Sequence, residues 1–246
     1  MNLPQTIFFD AVGTLFDVRG TVGEIYAQFA RQAGVRVDPQ QLNTAFIQSF
    51  RTAPRAAFAN ASPQALLRLE YEWWRAVACQ SFETAGALSG LEDFDAFFQP
   101  LFTYFETAAP WILYPETLKS LERVKALGIE TAIISNFDSR LYAVLQALEL
   151  DSWFQSITLS TQIGAAKPDP AIFEAALEKH RVLPTQAWHV GDSWTEDYAG
   201  ATAAGLRGVW LNRKGAQPDL GAQAMVAARL EISDLAALEG ILQAQS

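Results

Sequence analysis

Beyond Tyr114-Pro115 the chain repeats one unit, a short apolar run that ends on polar residues and is followed by a stretch with helical spacing. That repeat constrains the fold more than any other feature. Strands that are apolar at successive positions must be covered on both faces, and intervening helices bring the chain back to run parallel. Ile129 to Ile134 reads as a strand ending in Ser135-Asn136-Phe137-Asp138, Ile157-Thr158-Leu159 as another, Ala187 to Val190 as a third ending at Gly191-Asp192, and Arg207 to Leu211 as a fourth. Between them, Leu118, Leu121, Val124 and Leu127 share a helical face stopped at Gly128. Asp138 reads as the N-cap of a helix bearing Leu141, Val144, Leu145 and Leu148. Asp169-Pro170 opens a helix with a cap residue and a proline, a further helix runs from the Asp192 region to Gly205, and a last one covers Leu235 to Leu242 after a loop from Lys214 to Ala227. Near the start, Ile7-Phe8-Phe9 delivers Asp10 into a turn with Gly13-Thr14. The expected fold is α/β, a doubly wound, mostly parallel Rossmann-like sheet.

Between that first strand and the repeat, the pattern changes. Val22, Ile25, Tyr26 and Phe29, then Leu42, Phe46 and Phe50, then Leu66, Leu69, Trp73, Trp74 and Val77 recur at helical spacing, with no strand pattern among them. The expectation is an inserted α-helical cap domain over residues 19–107 and a core domain made of 1–18 and 108–246. Trp73 and Trp74 fall on the apolar stripe and read as cap core, and Cys79 as a buried helix residue.

Composition narrows the functional classes. Lys and Arg number 18 against 27 Asp and Glu, a net charge of -9, which disfavours nucleic acid and anionic lipid as partners. A single cysteine allows no intrachain disulfide and no thiolate cluster, as in a reducing compartment. No run approaches the ~20 apolar residues of a membrane span, and Met1 to Thr6 has no signal-peptide pattern, so a cytoplasmic location is expected. His180 and His189 are too few for a histidine metal site and read as structural.

Polar residues gather where the strands end, which is where open parallel sheets bind ligands. Four groups stand there: Asp10-Ala11-Val12-Gly13-Thr14, Ser135-Asn136, Lys167-Pro168-Asp169-Pro170 and Gly191-Asp192-Ser193-Trp194-Thr195-Glu196-Asp197. Each alone is an ordinary turn or helix start. In this order and spacing they resemble the four motifs of the haloacid dehalogenase-like hydrolase superfamily, over nearly the whole chain, and the helical insertion is similar to the cap of its helical-cap subgroup. The resemblance implies Asp10 as nucleophile, Thr14 and Lys167 beside it in catalysis, and Gly13, Ser135 and Asn136 around the transferred group. It implies Mg²⁺ at Asp10, the carbonyl of Val12 and Asp192, with Glu196 and Asp197 supporting that site. These roles suit the residue types. A carboxylate can form an acyl-phosphate, hydroxyls and amides can bind its oxygens, a lysine offsets anionic repulsion, and a few hard oxygens suit Mg²⁺.

One position departs from the pattern. Phosphatases of the superfamily carry a second aspartate two residues after the nucleophile to protonate the leaving group, and here Val12 stands in that place. Valine offers a carbonyl but no proton, so a contribution typically worth ~10²- to 10⁴-fold is missing or comes from elsewhere. The first motif is similar to that of 2-haloacid dehalogenases. The fourth, with its additional carboxylates, is similar to that of metal-dependent members, and the overall pattern resembles a dehalogenase-like subgroup with animal, plant and cyanobacterial members. The expected activity is Mg²⁺-dependent hydrolysis of a small-molecule phosphorylated substrate, with weak or specialised turnover. The alternatives are a catalytically silent ligand- or partner-binding protein and a 2-haloacid dehalogenase.

Overall fold

Ile7, Phe8 and Phe9 are fully buried, so the first strand needs cover on both sides. In the computed structural model, which describes residues 3–216 and 230–244, it gets that cover at the centre of a sheet. The chain runs β1 (Thr6–Phe9), β2 (Phe16–Val18), α1 (Val22–Gln32), α2 (Pro39–Thr52), α3 (Pro63–Thr84), α4 (Phe94–Tyr104) and β3 (Trp111–Leu113). It continues α5 (Thr117–Ala126), β4 (Glu130–Ser135), α6 (Arg140–Ala147), β5 (Ile157–Leu159), α7 (Ser160–Ile163), α8 (Pro170–His180) and β6 (Ala187–Gly191). After a π-helical turn at Trp194–Ala199 come α9 (Gly200–Ala203), β7 (Arg207–Leu211), β8 (Glu231–Ile232) and α10 (Ala237–Gln243). The loop expected over 214–227 lies mostly outside the described residues.

The six-stranded sheet has the order β5-β4-β1-β6-β7-β8 and every pairing is parallel. Alternation along β1 divides the core. Ile7 and Phe9 pack on one face with residues of α5, α6 and α10, and Phe8 packs on the other with residues of α8 and α9. Each of these phenylalanines contributes on the order of 1.5–3 kcal/mol by burial. The chain moves outward from β1 through β4 to β5, then crosses to β6 on the opposite side, so the strand order reverses between β1 and β6. A crevice beyond the carboxyl ends of strands is expected at that switch point. Asp10 and Asp192 follow those two strands.

The antiparallel pair β2 and β3 was not expected, since neither three-residue run carries enough periodicity to read as a strand. The pair forms a short two-stranded stalk, and α1 to α4 lie between its strands in sequence. Their starts are written locally. Thr21 and Glu24 form a capping box on α1, and Asp38, Ser62 and Asp93 cap α2, α3 and α4. These helices share a second aromatic-rich core in which Tyr26 stacks on Phe82 at 5.8 Å between ring centres. Cys79 is half-buried in α3 rather than buried, because it borders the apolar stripe instead of lying on it.

Two local expectations are refined. The helix α6 starts after Ser139, and the Asp138 carboxylate accepts the N–H of Arg140, its first residue, at 2.9 Å, a cap-type bond as expected. The same carboxylate also engages the Arg140 guanidinium through Nε at 2.9 Å and Nη2 at 2.7 Å. It also accepts the Trp74 indole N–H at 2.5 Å. The helix after Asp192 is not regular at its start: Tyr198 N–H bonds to the Ser193 carbonyl at 3.2 Å, a π-type turn before α9. Trp74 is half-buried and reaches the sheet side of the molecule, so it is only partly a member of the helical core.

Candidate active site

The turn after β1 and the turn after β6 meet through a glycine. Gly13 adopts φ +84, and a Cβ there would lie 2.6 Å from Asp192 Oδ2, so the two turns approach this closely only because the side chain is absent. Gly191 does the same for Asp197, whose carboxylate would collide with a Cβ at that position. Asp10, Asp192 and Asp197 thereby present carboxylate oxygens all within 4.8 Å of one another. The cluster can hold a metal ion.

Lys167 sits at its centre and is 1% exposed. Its Nζ donates to Asp10 Oδ1 at 2.7 Å, to Asp197 Oδ1 at 2.6 Å and to the Ile134 carbonyl at 3.0 Å. Those bonds use all three ammonium protons. Burial opposes the lysine charge, but the two carboxylates outweigh it and hold its pKa above the usual value. The same pairing reverses the effect of burial on Asp197, which is held well below the usual carboxylate range. Asp197 is further fixed by the Ser193 amide at 2.9 Å and by His189 Nε2 at 2.8 Å. Burial lowers the His189 pKa, so the ring is the neutral tautomer that donates from Nε2.

Asp10 accepts a second bond at the same oxygen, from Ser135 Oγ at 3.1 Å. Burial raises its pKa against the pull of Lys167. Asp192 opens towards solvent as a residue, yet its carboxylate is crowded against Gly13. That desolvation first, and the charges of Asp10 and Asp197 second, push it up to about 7. Among the described residues no donor bonds Asp10 Oδ2, and the Asp192 carboxylate has only its own amide. The Val12 carbonyl accepts no main-chain hydrogen bond there either. Asp10 Oδ2 and the Asp192 carboxylate are therefore open to a cation, while the oxygens of Asp197 are engaged.

The other expected residues fall around this cluster. Thr14 is fully buried and its hydroxyl has no partner among the described residues. The Asn136 amide bonds both the amide and the carbonyl of Lys167, at 2.7 and 3.0 Å, and Glu196 at 3.0 Å, so it fixes the lysine loop. Glu196 also pairs with Arg55 at 2.7 Å, and Arg55 donates to the Lys167 carbonyl at 2.7 Å. Arg55, Arg140, Asp138 and His189 were missed as site neighbours. Only His189 left a signal, since it lies one strand period before Gly191, the residue preceding Asp192.

A carboxylate bridged by lysine to a second acid, with a third acid at the switch point of a parallel sheet, defines a candidate hydrolytic centre on a Rossmann-like fold. The chain belongs to the haloacid dehalogenase-like hydrolase family, whose model matches residues 4–205. It is 34% identical to haloacid dehalogenase-like hydrolase domain-containing protein 3 of Xenopus laevis, over 85% of each chain. A structure described as a dehalogenase superposes with TM-score 0.71 at 22% identity over 98% of both chains. A phosphatase of the same superfamily from Thermococcus onnurineus superposes with TM-score 0.65 at 23% identity over 97% of both. Those two structural likenesses speak to the fold alone. Among the described residues, no helix is long and apolar enough to cross a membrane.

Proposed function

We propose that the chain is a Mg²⁺-dependent phosphatase that acts on a small phosphorylated metabolite through an aspartyl-phosphate at Asp10. In this reading residues 19–107 form a cap over a core of 1–18 and 108–246, and the enzyme works in the cytoplasm. The observation that carries it is the imbalance of charge at the strand ends. Three carboxylates face one ammonium and a neutral imidazole. With all three ionised an excess of two negative charges remains, which a dication at Asp10, Val12 and Asp192 would neutralise. A metal-free displacement at carbon would leave Asp192 repelling the nucleophile for no return.

When bound, Mg²⁺ supplies charge to the transferred phosphoryl oxygens. The chain's own groups do the rest. Ser135 and Lys167 hold the Asp10 carboxylate by Oδ1, and that carboxylate attacks phosphorus while the bond to the leaving oxygen breaks and that oxygen takes the electron pair. Lys167, with its three protons engaged, offsets the phosphoryl charge as a neighbouring cation, and the Thr14 hydroxyl is a donor without a partner among the described residues. Water then attacks the phosphorus, the bond to Asp10 breaks, and inorganic phosphate leaves with the carboxylate restored. Asp197 and His189 position Lys167 and do not touch the reacting atoms.

Turnover of p-nitrophenyl phosphate with Mg²⁺ and with a chelator, in wild type and in Asp10→Asn, tests the reading. Activity should require the metal and disappear in the variant, and chloride release from 2-chloropropionate should be negligible. Metal-independent halide release would replace the reading with a dehalogenase. A well-formed Mg²⁺ site without turnover on any phosphate ester would replace it with a silent binding protein.

A further inference from the structure

We infer that the leaving half of the substrate is an apolar aromatic group whose oxygen is a stable anion, as in a phenol-type phosphate monoester, and that it occupies the cavity between α1–α4 and the sheet. The inference rests on the phosphatase reading and names its substrate class. A cavity of about 300 Å³ lies between the helices and the strand ends, and Val12 and Asn136, beside Asp10 and Ser135, form part of its wall. The remainder is almost wholly apolar and aromatic, with Val22, Phe50, Trp74 and Phe102 among it. A volume of that size suits a ligand of one or two rings.

The polar groups of this wall are already engaged. Arg140 is paired at both ends of its fork with Asp138, donates to the Phe102 carbonyl at 3.3 Å and lies 3.9 Å over the Phe102 ring. It is therefore no receptor for a second anionic group on the substrate. The Trp74 indole bonds Asp138, the Trp111 indole bonds the Phe105 carbonyl at 3.2 Å, and the Asn136 amide holds the lysine loop. The Tyr26 hydroxyl alone lacks a partner among the described residues, and burial keeps it neutral. A sugar or polyol placed here would lose its water and find almost nothing to bond. A neighbouring cleft of about 350 Å³ carries Arg51 and Arg55, but Val12 does not line it.

Val12 adds the second, independent argument. With no acid two residues after Asp10, the departing oxygen must leave as an anion and take its proton later from water. Such a step is slow for an alkoxide and fast for a phenoxide or carboxylate, because weakly basic leaving groups need little protonation. The cavity wall and the missing acid thus select the same chemistry, an aryl rather than an alkyl ester.

Three probes separate the two arguments: 1-naphthyl phosphate, acetyl phosphate, which is small with a good leaving group, and glycerol 1-phosphate, which is polar with a poor one. With Mg²⁺ the expected kcat/KM for 1-naphthyl phosphate exceeds that for glycerol 1-phosphate by about 100-fold or more. Acetyl phosphate should show a KM about tenfold or more higher than the naphthyl ester. Calorimetry with 1-naphthylphosphonate, which cannot be hydrolysed, should show binding weakened about tenfold by Val22→Phe, which fills the cavity. Phe50→Ala, at a more exposed wall position, should weaken it too and serves if Val22→Phe does not fold. Equal or better turnover of glycerol 1-phosphate, or phosphonate binding untouched by both variants, overturns the inference. No turnover of any probe, with phosphonate binding still weakened by the variants, would overturn the phosphatase reading while supporting the cavity's ligand class.

Discussion

The two sides of the cleft are built from opposite materials. At the strand ends, Asp10, Lys167, Asp197 and His189 are joined by ionic hydrogen bonds of 2.6 to 2.8 Å, and one lysine holds two acids in place. Across from them, α1 to α4 present aromatic rings, and the Trp74 indole N–H is turned onto Asp138. The contrast teaches where rigidity and where selectivity reside. The charged side fixes geometry at a few atoms, and in the proposed reading the apolar side selects the ligand and can change without unfolding the core.

That contrast can be broken most severely at Lys167. Lys167→Met should leave two buried carboxylates uncompensated and cost about 3–5 kcal/mol in a urea denaturation series, with loss of turnover. A comparable cut on the apolar side, such as Phe50→Ala, should cost far less stability because that ring is 43% exposed. Equal losses would erase the distinction.

Next in size is Val12→Asp, which places a proton donor at the border between the two sides. Phosphatase turnover should rise, by less than the ~10²- to 10⁴-fold of a well-placed acid, because the surrounding wall is apolar and leaves the new carboxyl poorly oriented. The gain should be largest for alkyl phosphates, whose leaving oxygen needs the proton. No gain in a variant that folds and binds Mg²⁺ would mean that another group already donates it.

Asp192→Asn should lower Mg²⁺ affinity in calorimetry by about 10- to 100-fold, since it removes one of two open carboxylates. Unchanged affinity would move the metal elsewhere.

How much of this contrast the sequence carried depends on the range of the contacts. The strands of the sheet were legible because apolar runs ending in Asp10, Ser135 and Gly191-Asp192 announce both their burial and their orientation. Asp10, Lys167, Asp192 and Asp197 were legible too, since each stands in a recognisable motif, whereas His189 read only as structural. The apolar side was not. Trp74 and Asp138 are 64 residues apart, and Glu70 meets Thr161 across 91, so nothing local marks any of the four as joining the helices to the sheet. Asp138 read as a cap and does accept the Arg140 N–H, but its ion pair with the Arg140 side chain left no mark of its own. The π-type turn at Trp194 was equally hidden, as its wider hydrogen-bond spacing leaves the residue types of an ordinary helix start unchanged.

Glu70 offers the mildest test. This α3 carboxylate is buried at the junction, accepts bonds from Ser139 and Thr161, and has its pKa raised chiefly by desolvation. An acid whose folded pKa exceeds its unfolded value destabilises the fold when ionised. Stability should therefore gain a small increment as pH falls through the raised pKa towards the ordinary carboxylate value. Glu70→Gln should remove that increment from the stability–pH curve. A curve of unchanged shape would show that the junction does not feel the charge.

The account as a whole stands on Asp10 as the atom that takes the phosphoryl group. Acid quenching of wild-type protein within milliseconds of mixing with Mg²⁺ and 1-naphthyl phosphate, followed by mass spectrometry of its peptides, reads that event directly. The predicted result is one phosphate on the peptide that carries Asp10, formed before free phosphate and absent from Asp10→Asn. Phosphate on another residue, or steady turnover in Asp10→Asn, would contradict it.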